Sequence, residues 1–148
     1  MKYLALAAAP ALLIAIAAPA HAESVTVSPR KGLPSSGSVS VKVSGLPKKA
    51  GVYVRLCKKP RKGARPSVTE CLNTGGQYAG VWVVGKYPYG PRPSTSNLAK
   101  PGKSFRLPVR SSFGSVNCKT TKCAIVVRRD HRNGGDRSYD TVIPVRFR

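Results

Sequence analysis

Residues 105–123, FRLPVRSSFGSVNCKTTKC, narrow the choice of fold more than any other stretch of this chain. Phe105, Leu107 and Val109 alternate with Arg106, Pro108 and Arg110, the period of two that puts one face of a strand in a core and the other in water. The stretch closes on Cys118 and Cys123, with four residues between them. Regular structure does not fit in so short an interval, so a bond between these two would clamp a tight loop just ahead of the apolar run Ala124, Ile125, Val126, Val127. Strand, turn and stapled loop together point to an all-β protein.

The rest of the chain repeats the same period. Val25 and Val27 alternate with Ser24, Thr26 and Ser28, and Val39, Val41 and Val43 with Ser40, Lys42 and Ser44. Val52, Val54 and Leu56 share one face of a third strand, with Tyr53, Arg55 and Cys57 on the other. Near the C-terminus, Ile143, Val145 and Phe147 share a face while Arg146 and Arg148 point away. Pro144 has no N–H for a ladder, so that strand belongs at an edge or carries a bulge. Gly, Pro and Ser clusters separate these runs, and none shows a sustained helical period. Short strands between such breakers predict a sandwich or a barrel.

Residues 1–22 read as an export leader: a basic start at Met1-Lys2, an apolar core, and the small-residue cleavage pattern Ala20-His21-Ala22. The mature chain would then be one domain, residues 23–148. All four cysteines lie in that part, and an even number in an oxidising compartment points to disulfides, with three connectivities open. A zinc site fits poorly, because the spacings are not Cys-x2-Cys pairs and His131 is the single histidine of the mature part.

The chain carries 26 Lys and Arg against 5 Asp and Glu, a formal net charge of +21. Such a balance attracts polyanions in a salt-dependent way, and outside a cell these are wall teichoic acid, anionic lipid head groups and DNA. The densest run is Arg55, Lys58, Lys59, Arg61, Lys62 and Arg65, around and after Cys57. Held between Cys57 and Cys71, it would form a projecting cationic loop that binds polyanions; the plainer reading is a solvated hairpin tip. In the Pro- and Gly-rich middle, Tyr87 and Tyr89 are expected on a surface loop. They and Trp82 either stack on a flat ligand or, for Trp82, fill the core between Val81 and Val83. No catalytic or metal-ligating constellation is evident. His131 beside Asp130 reads as an exposed turn histidine, because adjacent residues in an extended turn point apart and no nucleophile accompanies them.

Val109-Arg110-Ser111-Ser112-Phe113, then Gly114-Ser115-Val116-Asn117-Cys118 and Cys123, resemble the V-R-x-S-F and G-[TS]-V-[DN]-C-x4-C segments of the neocarzinostatin family, secreted actinobacterial apoproteins that carry enediyne antibiotics. Val25-Thr26-Val27-Ser28-Pro29, Gly32-Leu33, the Gly45-Leu46 turn and the strand ending in Cys57 are similar to that family's opening strands. The resemblance implies a seven-stranded immunoglobulin-like antiparallel sandwich. It also implies the disulfides Cys57–Cys71 and Cys118–Cys123, the pairing that closes two local loops. The implied function is non-enzymatic: a cleft for a non-covalent aromatic chromophore, lined here by Phe105, Phe113, Trp82, the Cys57–Cys71 bridge, Tyr87 and Tyr89. Three departures stand out: Phe113 runs directly into Gly114 where the family has a long hairpin, Lys59 takes an aromatic position, and the chain is basic where the family is acidic. The expected product is a secreted monomer that binds an antibiotic-like molecule, serves an antibacterial role and binds DNA without sequence preference. Two alternatives are an envelope-retained cationic module on wall polymers and a directly acting cationic antimicrobial protein.

Overall fold

The computed structural model describes residues 23–74, 77–78 and 80–148, so the expected leader lies outside it. In chain order the strands are β1 Ser24–Ser28, β2 Ser36–Ser44, β3 Gly51–Lys58, β4 Asn73–Thr74, β5 Gln77–Tyr78 and β6 Val81–Val84, followed by β7 Leu98–Ala99, β8 Ser104–Arg110, β9 Ser112–Phe113, β10 Val116–Asn117, β11 Cys123–Arg129 and β12 Thr141–Val145. Two single-turn 3-10 helices, Val68–Glu70 and His131–Asn133, interrupt the loops.

Besides the two-stranded pairings of β4 with β5 and β9 with β10, there are two larger sheets, of order β1-β2-β8 and β12-β11-β3-β6-β7. These hold seven longer strands, all antiparallel to their neighbours, plus the two-residue β7, which pairs parallel with β6. The alternation read in the sequence sets the register. Val27 faces Val41, Val39 faces Leu107 and Val41 faces Phe105 across the first sheet. In the second, Ile143, Ile125 and Leu56 align, as do Val127, Val54 and Val81. These side chains meet between the sheets, where Val39, Val41, Val52, Val54, Leu56, Leu107, Ile125 and Val127 are all fully enclosed. Each such burial contributes about 1.5–3 kcal/mol, so the facing valines and leucines are the main drive to close the sandwich.

β12 is the outer strand of its sheet, as the missing N–H of Pro144 requires. Both expected disulfides are present, Cys57–Cys71 and Cys118–Cys123, and no described cysteine is free. β11 is enclosed on both faces from Cys123 to Val127. Its inner residues pack into the sandwich. Ala124 and Val126 instead join Cys57 and Cys71 in a second small apolar cluster on the outer face.

Candidate functional site

The outer face of the five-stranded sheet is where chemistry collects, and the ladders fix which residues lie side by side on it. One row is Pro144, Ala124 and Cys57; the next is Val142, Val126 and Arg55; the third is Arg128, Tyr53, Trp82 and Leu98. The segment from Lys59 to Leu72 lies over the middle of this face, where Cys57, Ala124 and Val126 are enclosed with Cys71. It does not project. Lys59 N donates to Lys122 O at 2.8 Å, Leu72 N to Leu56 O at 2.8 Å, and Arg137 Nη2 to Gly63 O at 2.6 Å. Arg65 reaches across to the turn before β12, where Nε donates to Asp140 Oδ2 at 2.8 Å, Nη1 to Gly134 O at 2.5 Å and Nη2 to Asp136 O at 2.9 Å. The expected projecting loop is therefore strapped down over the sheet edge, because a planar guanidinium can satisfy a carboxylate and two carbonyls at once.

Beside this strap the face opens into a trough lined by Tyr53, Arg55, Cys57, Cys71, Val126 and Arg128, with Pro66, Ser67 and Val68 as its rim. Its enclosed volume is about 20 Å³, room for a single water. Val68 on the rim is half exposed. The turn carrying it is capped by Glu70, whose carboxylate accepts from Ser67 N at 3.0 Å, and that bond holds the Glu70 carboxyl below the usual range.

At the other end of the trough an aromatic cluster stands on the sheet. Trp82 is its centre, with ring centroids 5.3 Å from His131, 5.7 Å from Tyr87 and 6.1 Å from both Tyr53 and Tyr89. The His131 ring lies near-parallel to Tyr53 on one side and Tyr89 on the other. Its Nδ1 meets the Tyr53 hydroxyl at 2.5 Å and its Nε2 meets the Tyr89 hydroxyl at 2.5 Å. A neutral imidazole offers one donor and one acceptor, so one hydroxyl donates to the ring and the other accepts from it. Burial, then the nearby Asp130 carboxylate, raises the Tyr53 hydroxyl above its ordinary pKa.

Asp130 anchors the cluster from below. It is fully enclosed, accepts from Trp82 Nε1 at 3.1 Å and from Arg132 Nε at 2.9 Å, and its own N–H donates to Gly51 O at 3.0 Å. A buried carboxylate survives only when paired and hydrogen-bonded, and this one is both. Gly51 makes the approach possible, since a Cβ there would lie 2.2 Å from Asp130 Oδ2 and 2.8 Å from Trp82 Nε1.

The structure thus unites Trp82, Tyr87, Tyr89 and the Cys57–Cys71 bridge on one face, and removes two expected lining residues from it. Phe105 points inward on β8 and packs against the core, and Phe113, on the short β9–β10 hairpin, is 9% exposed and belongs to the same core. Trp82, by contrast, is not core: Val81 and Val83 face the sandwich, and period two turns Trp82 out. Among the expected polyanion contacts, Lys59, Arg61 and Lys62 are exposed, whereas Arg65 is committed to Asp140, Lys58 lies 3.7 Å from Glu70, and Arg55 packs over the Tyr53 ring. Sequence reasoning misses Tyr53, Asp130 and His131 as site residues. The alternation does place Tyr53 outward; the ladder that sets it beside Trp82, and the loop closure that brings in residues 130 and 131, are not visible in a linear pattern.

Comparison with curated proteins finds no match. Among solved structures, macromomycin matches with a TM-score of 0.56 and 22% identity, covering 85% of this chain and 99% of that one. A scan against family models matches the neocarzinostatin family over residues 25–142. With most of the described domain inside that match, the chain belongs to the neocarzinostatin family, whose members are non-enzymatic apoproteins that carry a ligand.

Proposed function

We propose that this protein is an exported carrier of a planar aromatic, antibiotic-like molecule, which lies across the outer face of the five-stranded sheet. The observation that carries this reading is the aromatic cluster itself: Tyr89 is 62% exposed, Trp82 and Tyr87 are half-buried beside it, and Arg55 and Arg128 line the adjoining trough. Rings fixed in this way offer stacking surface with little left to order, and each aromatic pair contributes about 0.5–1.5 kcal/mol. The trough admits no ligand ring in its present form, so the molecule rests on the surface and binding falls in roughly the micromolar to millimolar range. Residues 1–22 act as the leader in this reading, and two disulfides fit an extracellular protein. An antibacterial or DNA-directed role would come from the ligand.

The test is a titration of Trp82 fluorescence with a panel of planar aromatics. Saturable quenching is expected, and Tyr89→Ala should weaken it roughly threefold to tenfold, the equivalent of one stacked ring. Phe113→Ala should leave it unchanged in any protein that remains folded. No quenching across the panel, or quenching indifferent to Tyr89, would overturn the proposal.

A second reading is supported by a separate groove. Lys59, Arg61, Lys62, Lys122 and Arg137 border a depression of about 810 Å³ over the β12 edge, floored by Val142 and Pro144. A cationic groove of this kind suits anionic polymers such as wall teichoic acid or DNA, and would retain the secreted protein at the envelope. Binding that vanishes at high salt is the expected sign.

A further inference from the structure

We infer that the cationic groove over β12 is half of a longer track, and that the track is shaped for a flexible polyphosphate chain without bases. This rests on the second reading above and names its ligand class. A second groove, of about 620 Å³, runs along the Cys118–Cys123 loop, the end of β12 and the Arg30-Lys31 turn. The two grooves share Lys59, Lys122 and Pro144. Lys59 and Lys122 are both exposed and joined through the bond from Lys59 N to Lys122 O, so they form the junction. Arg61 and Lys62 continue the cationic border on one side, Lys119 and Arg146 on the other. Asp140 is the one carboxylate among the residues lining either groove, and Arg65 already neutralises it at 2.6 Å.

Two features select the ligand. The track starts on the outer face of the five-stranded sheet and turns round its edge to the seam where Leu33 bridges Phe147. Duplex DNA, with a persistence length of about 50 nm, stays straight over a small domain and meets only one segment of such a path. A single phosphodiester or phosphoanhydride chain can follow all of it. Single-stranded nucleic acid is normally held by aromatic platforms. The one aromatic lining residue here is Phe147, which is 7% exposed and packed in the core. Phosphate is recognised and bases are not. The chemistry is shared by wall polyol-phosphate polymers and by free inorganic polyphosphate.

The experiment measures binding of inorganic polyphosphate by calorimetry over a salt series. A track variant, Lys59→Ser, Lys119→Ser, Lys122→Ser and Arg146→Ser, is compared with a variant of equal charge on exposed positions away from both grooves, Lys42→Ser, Lys103→Ser, Arg106→Ser and Arg110→Ser. The track variant should flatten the slope of log K against log salt by about 3, at roughly 0.7 for each phosphate no longer neutralised, and the control by less than about 1. Single-stranded and duplex DNA should bind more weakly per phosphate than polyphosphate. Competition by a glycerol-phosphate polymer at lower phosphate concentration than free polyphosphate would assign a wall source, and the reverse a free one. Equal loss in both variants would overturn the track while leaving a diffuse polyanion affinity. Tighter binding of duplex would overturn the ligand class, and no binding of any polymer would overturn the polyanion reading as well.

Discussion

At the scale of single residues, Asp130 decides whether the aromatic face exists. Its carboxylate is enclosed and takes Trp82 Nε1 and the Arg132 side chain. Asp130→Ala should lower stability by about 3–5 kcal/mol, since it strands a partly buried guanidinium and an indole N–H together. The check is a denaturant midpoint, with Trp82 emission shifting to the red in the native baseline. Gly51→Ala tests the same contact from the other side: a Cβ 2.2 Å from a carboxylate oxygen forces that oxygen away, and a similar disturbance of the Trp82 environment is expected. Tyr53 supplies the pH dependence. Its hydroxyl is raised in the folded state by burial, so its contribution is complete below the unfolded value of 10.0 and is lost as pH rises through the folded value. Phenolate absorbance should therefore show one tyrosine ionising late, with loss of stability accompanying it; Tyr53→Phe should remove that late step.

At the scale of elements, the segment between the first two cysteines is the least predictable part and the most consequential. Its charge density suggests a loop in water. Instead Arg65 binds it to the turn before β12, and the Cys57–Cys71 bridge closes an interval of 14 residues. A loop of that size contributes about 3 kcal/mol through restriction of the unfolded chain. Arg65→Ala should cost about 2–3 kcal/mol and increase hydrogen exchange across residues 59–66, and Arg65→Lys should not restore protection, because one ammonium cannot reach a carboxylate and two carbonyls in a fork. The same strap explains why β11 has no polar face from Cys123 to Val127: the loop supplies its outer cover. An unbroken apolar run of this kind reads as a doubly covered strand, but nothing in the run says what covers it.

At the scale of the molecule, the net charge of +21 for the chain becomes +20 for residues 23–148 once Lys2 is set aside, and that charge on one small domain sets up self-repulsion that the fold must tolerate. Raising ionic strength from about 0.01 M to about 0.15 M shortens the screening length from about 30 Å to about 8 Å. The melting temperature should rise over that range, and polyphosphate at low salt should raise it further by mass action. A melting temperature flat in salt would mean that the basic residues are spaced widely enough not to feel one another. The disulfides and the sandwich core carry the stability that such repulsion opposes.

Alternation by itself determined the strands and the inward valines and leucines, because a side-chain period of two leaves no other way to bury Val39, Val41, Val52, Val54 and Leu107. Pro144 determined an outer strand for the same local reason, the loss of one donor. The residues that resemble the neocarzinostatin family carried the disulfide pairing and the ligand-carrying class. What only the tertiary structure decided is which outward residues share a face. Phe113 closes the V-R-x-S-F segment and Phe105 lies just ahead of it, yet both turn toward the core. Tyr53 and His131, 78 positions apart, meet at 2.5 Å because β3 and β11 pair and the loop after β11 turns back over the sheet. Local spacing encodes which side of a strand a residue faces; which strands become neighbours is set by the long-range closure of the sheet, and the candidate site is built across those neighbours.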